Sequence, residues 1–201
     1  VLFRFCYVVV RFVLGIWHPF FRVKGRENLP ADGEYCYLIC GNHSAMSDPI
    51  WVLFALRTNR MEKVPRIMAK AELMRVPVLG RLFRWVGVFG VERGENDITS
   101  LKTALKTLKD GKSLMIFPQG TRCRNGERLP GKNGVAMMAT RTDTMVLPIY
   151  LTEKKRPFRP LTCVIGQPYR MEYAGKRATS AELDALTADM MDRIYALGEQ
   201  A

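Results

Sequence analysis

A chain of 201 residues is long enough to bury one sizeable core without disulfide or metal staples, and 48% of it is hydrophobic. Its formal charge of +12 calls for an anionic partner: nucleic acid, a phosphorylated substrate or an anionic membrane face, with the high apolar content leaning towards the membrane. The five cysteines (Cys6, Cys36, Cys40, Cys123, Cys163) are an odd number with no paired pattern, which reads as reduced thiols in a cytosolic setting. Neither histidine lies in a ligand-like cluster, so no metal is expected.

The first 21 residues are mostly apolar, and Arg4, Arg11 and His18 recur every seven residues. On a helix that spacing gives one narrow polar stripe with aromatics and aliphatics covering the rest. Charges every two turns argue against a spanning helix, which needs about 20 predominantly apolar residues. No small-residue cleavage site follows, which argues against a secretory signal. The expectation is a membrane-interfacial helical segment, 1–21, apolar face down and arginines towards head groups, ahead of a domain over 22–201. The alternative is a core helix of the domain itself. The chain begins at Val1 and not at Met, which leaves room for residues upstream.

Val23–Pro30 with Asp32-Gly33 reads as a short strand and a turn. Tyr35–Cys40 is a short apolar run ending at Gly41, the pattern of a buried strand, with Cys36 and Cys40 on one face in the core. Asn42-His43-Ser44-Ala45-Met46-Ser47-Asp48-Pro49 follows. Aspartate before proline is a helix-start signal, with Asp48 at the N-cap and Pro49 at the first helical position. Such a loop can fold Asp48 back onto one imidazole nitrogen of His43 and leave the other free to take a proton. A lone histidine beside a strand is more often structural, so this pair needs support from the rest of the chain.

Residues 57–93 are strongly basic. Within them Ile67-Met68-Ala69 reads as a short strand followed by Lys70, Val78–Val86 as a helix, and Val88–Val91 as a strand running into Arg93. An arginine at a strand end before a glycine is well placed to meet a phosphate. Asp97 begins a helix with Ile98, Leu101, Leu105 and Leu108 on one face, closed by Gly111. Ser113–Phe117 is the next strand, breaking into Pro118-Gln119-Gly120-Thr121-Arg122. Gly120 allows close backbone approach, Thr121 offers a hydroxyl and Arg122 a forked cation, which together make a compact anion-binding turn. A helix over Val135–Ala139 and a strand over Met145–Leu151 come next, then a basic loop, Glu153–Pro160. Leu161–Ile165 and Tyr169–Tyr173 read as two strands or one bent one. The tail, Thr179–Leu197, is an amphipathic helix with a Thr179/Glu182 capping box. Alternating strands and helices predict an α/β fold with a mixed, largely parallel sheet. His43/Asp48, Arg93 and the 120–122 turn all fall at strand C-terminal ends, the edge where open α/β sheets bind ligands.

The blocks N-H-x-x-x-x-D, G-V-F-G-V-E-R, F-P-x-G-T-R and V-L-P-I, in that order, resemble the four motifs of the glycerophospholipid acyltransferases, above all the bacterial-type 1-acylglycerol-3-phosphate acyltransferases. The resemblance covers about residues 20–175. It implies acyl transfer from a thioester, acyl-CoA or acyl-carrier protein, to the sn-2 hydroxyl of lysophosphatidic acid, at the cytoplasmic face of a membrane. It implies no cofactor beyond that co-substrate and no nucleic-acid partner. His43 would be the general base and Asp48 its orienting partner. Arg93, Gly120, Thr121, Arg122 and Lys70 would bind the acceptor's phosphate, and Pro148 would shape the acyl-donor side. Loop amides near His43 are candidates for the oxyanion donor.

One position departs from the pattern. The third motif ordinarily has glutamate where this chain has Gln119, which keeps the size and an acceptor oxygen but loses the charge. If residue 119 orients the acceptor, turnover is expected to be reduced and to rise in Gln119→Glu. The competing readings are a catalytically weakened membrane-peripheral lipid-binding relative, an acyltransferase for another lysophospholipid, a nucleic-acid binder suggested by charge alone, and a hydrolase using Ser44 or Cys123. The last lacks a glycine-framed nucleophile elbow.

Overall fold

The buried run Tyr37–Gly41 (β2) forms the middle of a seven-stranded sheet. Strand side chains alternate between faces, so Tyr37 and Ile39 enter one core while Leu38 and Cys40 enter the other. The computed structural model describes residues 2–30, 35–57, 64–77, 79–85, 87–91, 98–123 and 126–201. Within these, the other strands are Phe21–Lys24 (β1), Arg66–Lys70 (β3), Val88–Val91 (β4), Leu114–Ile116 (β5), Met145–Leu151 (β6) and Leu161–Ile165 (β7). Their order across the sheet is β1-β7-β6-β2-β5-β3-β4. Neighbours from β6 to β4 run parallel. β7 turns back antiparallel on β6, and β1 runs parallel to β7. The sheet is therefore mixed and largely parallel, as the alternation of elements predicts.

Helices cover both faces. Leu2–Trp17 (α1) and Asp48–Ala55 (α2) lie over the Ile39 face, with Trp51, Val52, Phe54 and Ala55 buried there. Ile98–Lys109 (α5), Gly134–Thr142 (α6) and Ser180–Ala196 (α7) lie over the Leu38 face through Ala104, Leu108, Val135, Met138, Met190 and Ile194. Ala71–Arg75 (α3) and Leu79–Trp85 (α4) fill the β3–β4 crossover, and α3 is a short helix that no sequence pattern announced. The capping box of α7 is present, with Glu182 N–H donating to the Thr179 hydroxyl and Thr179 N–H donating to Glu182. At the end of β1, Gly25 has φ +77, and a Cβ there would lie 1.9 Å from the Ile165 carbonyl oxygen, so only glycine fits this turn.

Several expectations need correction. Tyr169 makes only an isolated bridge to Val146, and residues 169–173 are not a strand. Pro168 precedes them, and Tyr169 and Met171 pack against α7 through Arg193 and the cluster of Met190 and Ile194. Cys40 is fully buried, but Cys36 lies ahead of β2 and is half-buried, its thiol against the Leu108 and Lys112 carbonyls. Of the polar stripe of α1, Arg4 and Arg11 are exposed, and Arg11 and His18 also contact aromatic rings of α2. Arg11 lays its guanidinium over Phe54, and His18 meets Trp51 edge-on at 5.2 Å. The outward face is apolar: Phe5, Val8, Phe12 and Ile16 are all more than half exposed. The Phe54 ring of α2 attracts the Arg11 cation. The predicted turn at Asp32-Gly33, the Val78 and Val86 ends of one helix and the Asp97 start of another lie outside the described residues.

Because β7 runs back along β6, β1 begins at Phe21, opposite Leu161, on the edge where β6 ends. α1 feeds β1, so its C-terminal end reaches the same edge that β2 and β5 point towards.

Candidate active site

β2 and β5 are neighbours, so the segments leaving their C-terminal ends emerge side by side. The first residue beyond β2, Asn42, is buried and clamps the sheet. Its Nδ2 donates to the Leu151 carbonyl at 2.9 Å, and its Oδ1 accepts the Leu151 N–H at 2.8 Å. That fixes the start of the His43 loop to the end of β6. The His43 ring stacks on Phe117 from β5's exit, with centroids 4.2 Å apart and planes 17° off parallel. The Cys123 N–H donates to the His43 carbonyl at 2.7 Å and ties the two loops together.

Asp48 returns to His43 as the sequence suggested. Its Oδ2 lies 2.8 Å from His43 Nδ1 and also accepts the Ser44 N–H at 2.7 Å and the Ala45 N–H at 2.8 Å. Asp48 is the first residue of α2, and the N-cap position belongs to Ser47, so the carboxylate serves the loop and not its own helix. The same bonds use up the Ser44 and Ala45 amides, which removes them as oxyanion donors. Asp48 Oδ1 pairs with Lys155 Nζ at 2.7 Å, and Lys155 also donates to the Ser44 hydroxyl at 2.7 Å and the Thr152 carbonyl at 2.8 Å.

Burial is the largest single influence on Asp48 and pushes its pKa up. The hydrogen bond from His43, the Lys155 cation and the Ala45 N–H outweigh it, and the carboxyl is held below its ordinary value. An ionised Asp48 accepts only, so His43 Nδ1 carries the donated proton, and in the neutral ring the lone pair is on Nε2. With a fifth of the side chain exposed (19%), the ring is open to an incoming group. The nucleophiles a hydrolase would need are not primed: the Ser44 hydroxyl is held by Lys155, and burial pushes the Cys123 thiol up.

The turn after β5, where the sequence leads one to expect an anion-binding turn, is open to solvent. Gly120 has φ +67, its N–H donates to the Phe117 carbonyl at 3.0 Å, and Thr121 and Arg122 are exposed. The sequence reading did not place Lys132 here. Its N–H donates to the Pro118 carbonyl at 2.9 Å, and its side chain lies along Gly120, within 3.3 Å of where a Cβ would stand. Lys70 is exposed at the C-terminal end of β3, the strand beside β5. Arg93 lies outside the described residues. Pro148 is in the middle of β6, paired with Cys40, with its ring beside Gly166; the structure does not bring it to His43.

With this geometry in view, the family model described as Acyltransferase matches residues 20–152, about two thirds of the chain. The chain belongs to the acyltransferase family. Relatives include the 1-acyl-sn-glycerol-3-phosphate acyltransferase of Borreliella burgdorferi, 33% identical over 131 residues, which is 64% of this chain and 50% of that protein. The protein of the same name in Bacillus subtilis is 27% identical over 201 residues, covering 98% of this chain and 96% of that one. The chloroplastic BAT2 of Brassica napus is 29% identical over 149 residues, 70% of this chain and 41% of that protein. The chain thus spans about half the length or less of the first and third of these. The crystal structure of PlsC, the 1-acyl-sn-glycerophosphate (LPA) acyltransferase of Thermotoga maritima, shares the fold, with a TM-score of 0.67 at 23% identity over 90% of this chain and 71% of that one. The match to the acyltransferase family spans β1 to the end of β6 and so contains both loops of the site.

Gln119 is 4% exposed, and its Nε2 donates to the Tyr195 hydroxyl of α7 at 3.1 Å. Its Oε1 is buried with no hydrogen-bond partner among the described residues. A rate gain in Gln119→Glu therefore requires the carboxylate to leave Tyr195 for the cations of residues 122 and 132. Initial acyl-transfer rates of the two proteins check this, and an unchanged rate would confine residue 119 to holding α7.

Proposed function

We propose that the chain transfers a fatty acyl group from an acyl thioester, acyl-CoA or acyl-carrier protein, to the sn-2 hydroxyl of lysophosphatidic acid, giving phosphatidic acid. The observation that carries this is His43, oriented by Asp48, beside the exposed Gly120-Thr121-Arg122 turn. The names of the relatives support the acceptor. His43 Nε2 takes the hydroxyl proton as the oxygen attacks the thioester carbonyl. The C–O bond forms, the C–S bond breaks, and the proton passes from His43 to the departing thiolate. Because the thioester is already activated, a base and positioning suffice. Arg122, Thr121 and Lys132 receive the acceptor's phosphate, with Lys70 at the end of the neighbouring strand β3; Arg93 is assigned to the same phosphate by its motif alone. Pro148 serves the donor side only through the course of β6.

The reaction takes place at a membrane surface, on its cytoplasmic face. Among the described residues no helix is long and apolar enough to cross a membrane. What supports surface binding is the outward face of α1 together with exposed Trp17, Phe20 and Phe158, and Met46 in the His43 loop itself. Each large apolar side chain taken out of water is worth about 1.5–3 kcal/mol, so a few suffice to seat the helix.

The test is acyl transfer to lysophosphatidic acid in detergent micelles. Arg122→Ala should raise KM for lysophosphatidic acid by about tenfold or more, the scale of one hydrogen bond to a charged group, with the KM of the thioester little changed. Equal rates on lysophosphatidylcholine, whose phosphate is a diester, would overturn the acceptor.

A further inference from the structure

We propose that Lys155 is a positioning residue for the base: it is the buried counter-ion that keeps Asp48 ionised and fixed while His43 is still neutral. This rests on the reading of His43 as the proton acceptor. Asp48 is fully buried, and Oδ2 receives three donors, none of them a cation while the imidazole is neutral. A buried carboxylate without an opposite charge is costly. A base must be neutral before it acts, so His43 cannot supply that charge at rest. Lys155 does so at 2.7 Å from Oδ1, with its side chain only 6% exposed. It donates hydrogen bonds to the Ser44 hydroxyl and the Thr152 carbonyl, and its contact with Asp48 Oδ1 is an ion pair. Lys155 thus grips the His43 loop at two points and anchors both to the end of β6.

No other charge among the described residues takes this part. His18, which feels Lys155, is lowered first by burial and then by that cation, so it is neutral near pH 7. Burial raises the Cys163 thiol, which also feels Lys155, to about 12, so it too is neutral. Arg26, which also acts on Cys163, donates its Nε–H to the Ala55 carbonyl at 3.2 Å.

The role has a signature that packing alone lacks. Without Lys155 the charge of Asp48 acts on His43 unopposed and favours the protonated ring, which is not a base. In Lys155→Met the acid limb of the kcat/KM profile should move up by about 1–2 pH units, with activity lost at neutral pH and largely recovered at higher pH. Lys155→Arg, which keeps the charge, should hold the limb near its original place. Nitrogen-15 NMR of His43 in the protein alone should show the same upward shift in Lys155→Met. That reading needs no substrate, so a shifted His43 in a protein inactive on lysophosphatidic acid sinks the acceptor and leaves this role standing. An unmoved limb and unmoved titration, with the rate lowered equally at every pH, would overturn the role. If Lys155→Met does not fold, the double variant Asp48→Asn/Lys155→Met removes both charges and should fold; its failure to do so would also overturn it.

Discussion

His43→Ala is expected to lower kcat/KM for acyl transfer by about 10²–10⁴-fold, the usual contribution of a positioned base. The loss should fall on kcat, because the ring takes the hydroxyl proton only as the C–O bond forms, and ground-state binding of the acceptor rests on the 120–122 turn. The fold should survive. Asp48 keeps the Lys155 ammonium and the Ser44 and Ala45 amides when the imidazole is gone, so no uncompensated charge is left behind. Single-turnover acyl transfer together with a thermal melt separates the two effects. A melt near that of the parent with a rate loss under tenfold would remove His43 from the chemistry.

Asn42→Ala should be the most damaging small change near the site. It removes two buried hydrogen bonds at once and strands the N–H and carbonyl of Leu151 in a dry environment. Each bond is worth about 0.5–1.5 kcal/mol net, and each stranded polar group costs about 1–3 kcal/mol, so a total near 2–5 kcal/mol is expected. For a chain of this size that lowers Tm by about 5–15 °C. Activity should fall too at temperatures where the fold persists, since the clamp holds the first residue of the His43 loop against β6. Denaturant melts, with rates taken well below Tm, check both parts. A loss of stability under about 1 kcal/mol would mean that water reaches Leu151.

The difference between what the sequence announced and what it concealed is one of range. Asp48 is five residues from His43, the Thr179/Glu182 capping box spans three, and the apolar runs of β2 and β6 are contiguous; local spacing reveals all of these. Asn42 and Leu151 are 109 residues apart, and Ser44 and Lys155 are 111 apart. Lys155 stood in a run of basic residues with nothing local to set it apart from Lys154 or Arg156. Only the pairing of β6 beside β2 brings these partners together. Lys132 was hidden the same way, since it reads as a helix entry until the chain folds its side chain along Gly120. For α1 the helix was legible, whereas the contacts of Arg11 with Phe54 and of His18 with Trp51 depend on α2, well along the chain. Gln119 shows a similar limit: the motif gives its position, while the burial of its amide under Tyr195 comes from α7, far along the chain.

The outward face of α1 also governs how the protein behaves in plain buffer. Copies carrying +12 repel one another at low ionic strength, and that repulsion opposes contact between their apolar helices. At physiological ionic strength the screening length is about 8 Å, and the repulsion no longer reaches between surfaces. The contest then turns towards Phe5, Val8, Phe12 and Ile16, which lose water by meeting the same face of another copy. Added salt therefore favours clustering of the protein, and a detergent that caps α1 reverses it.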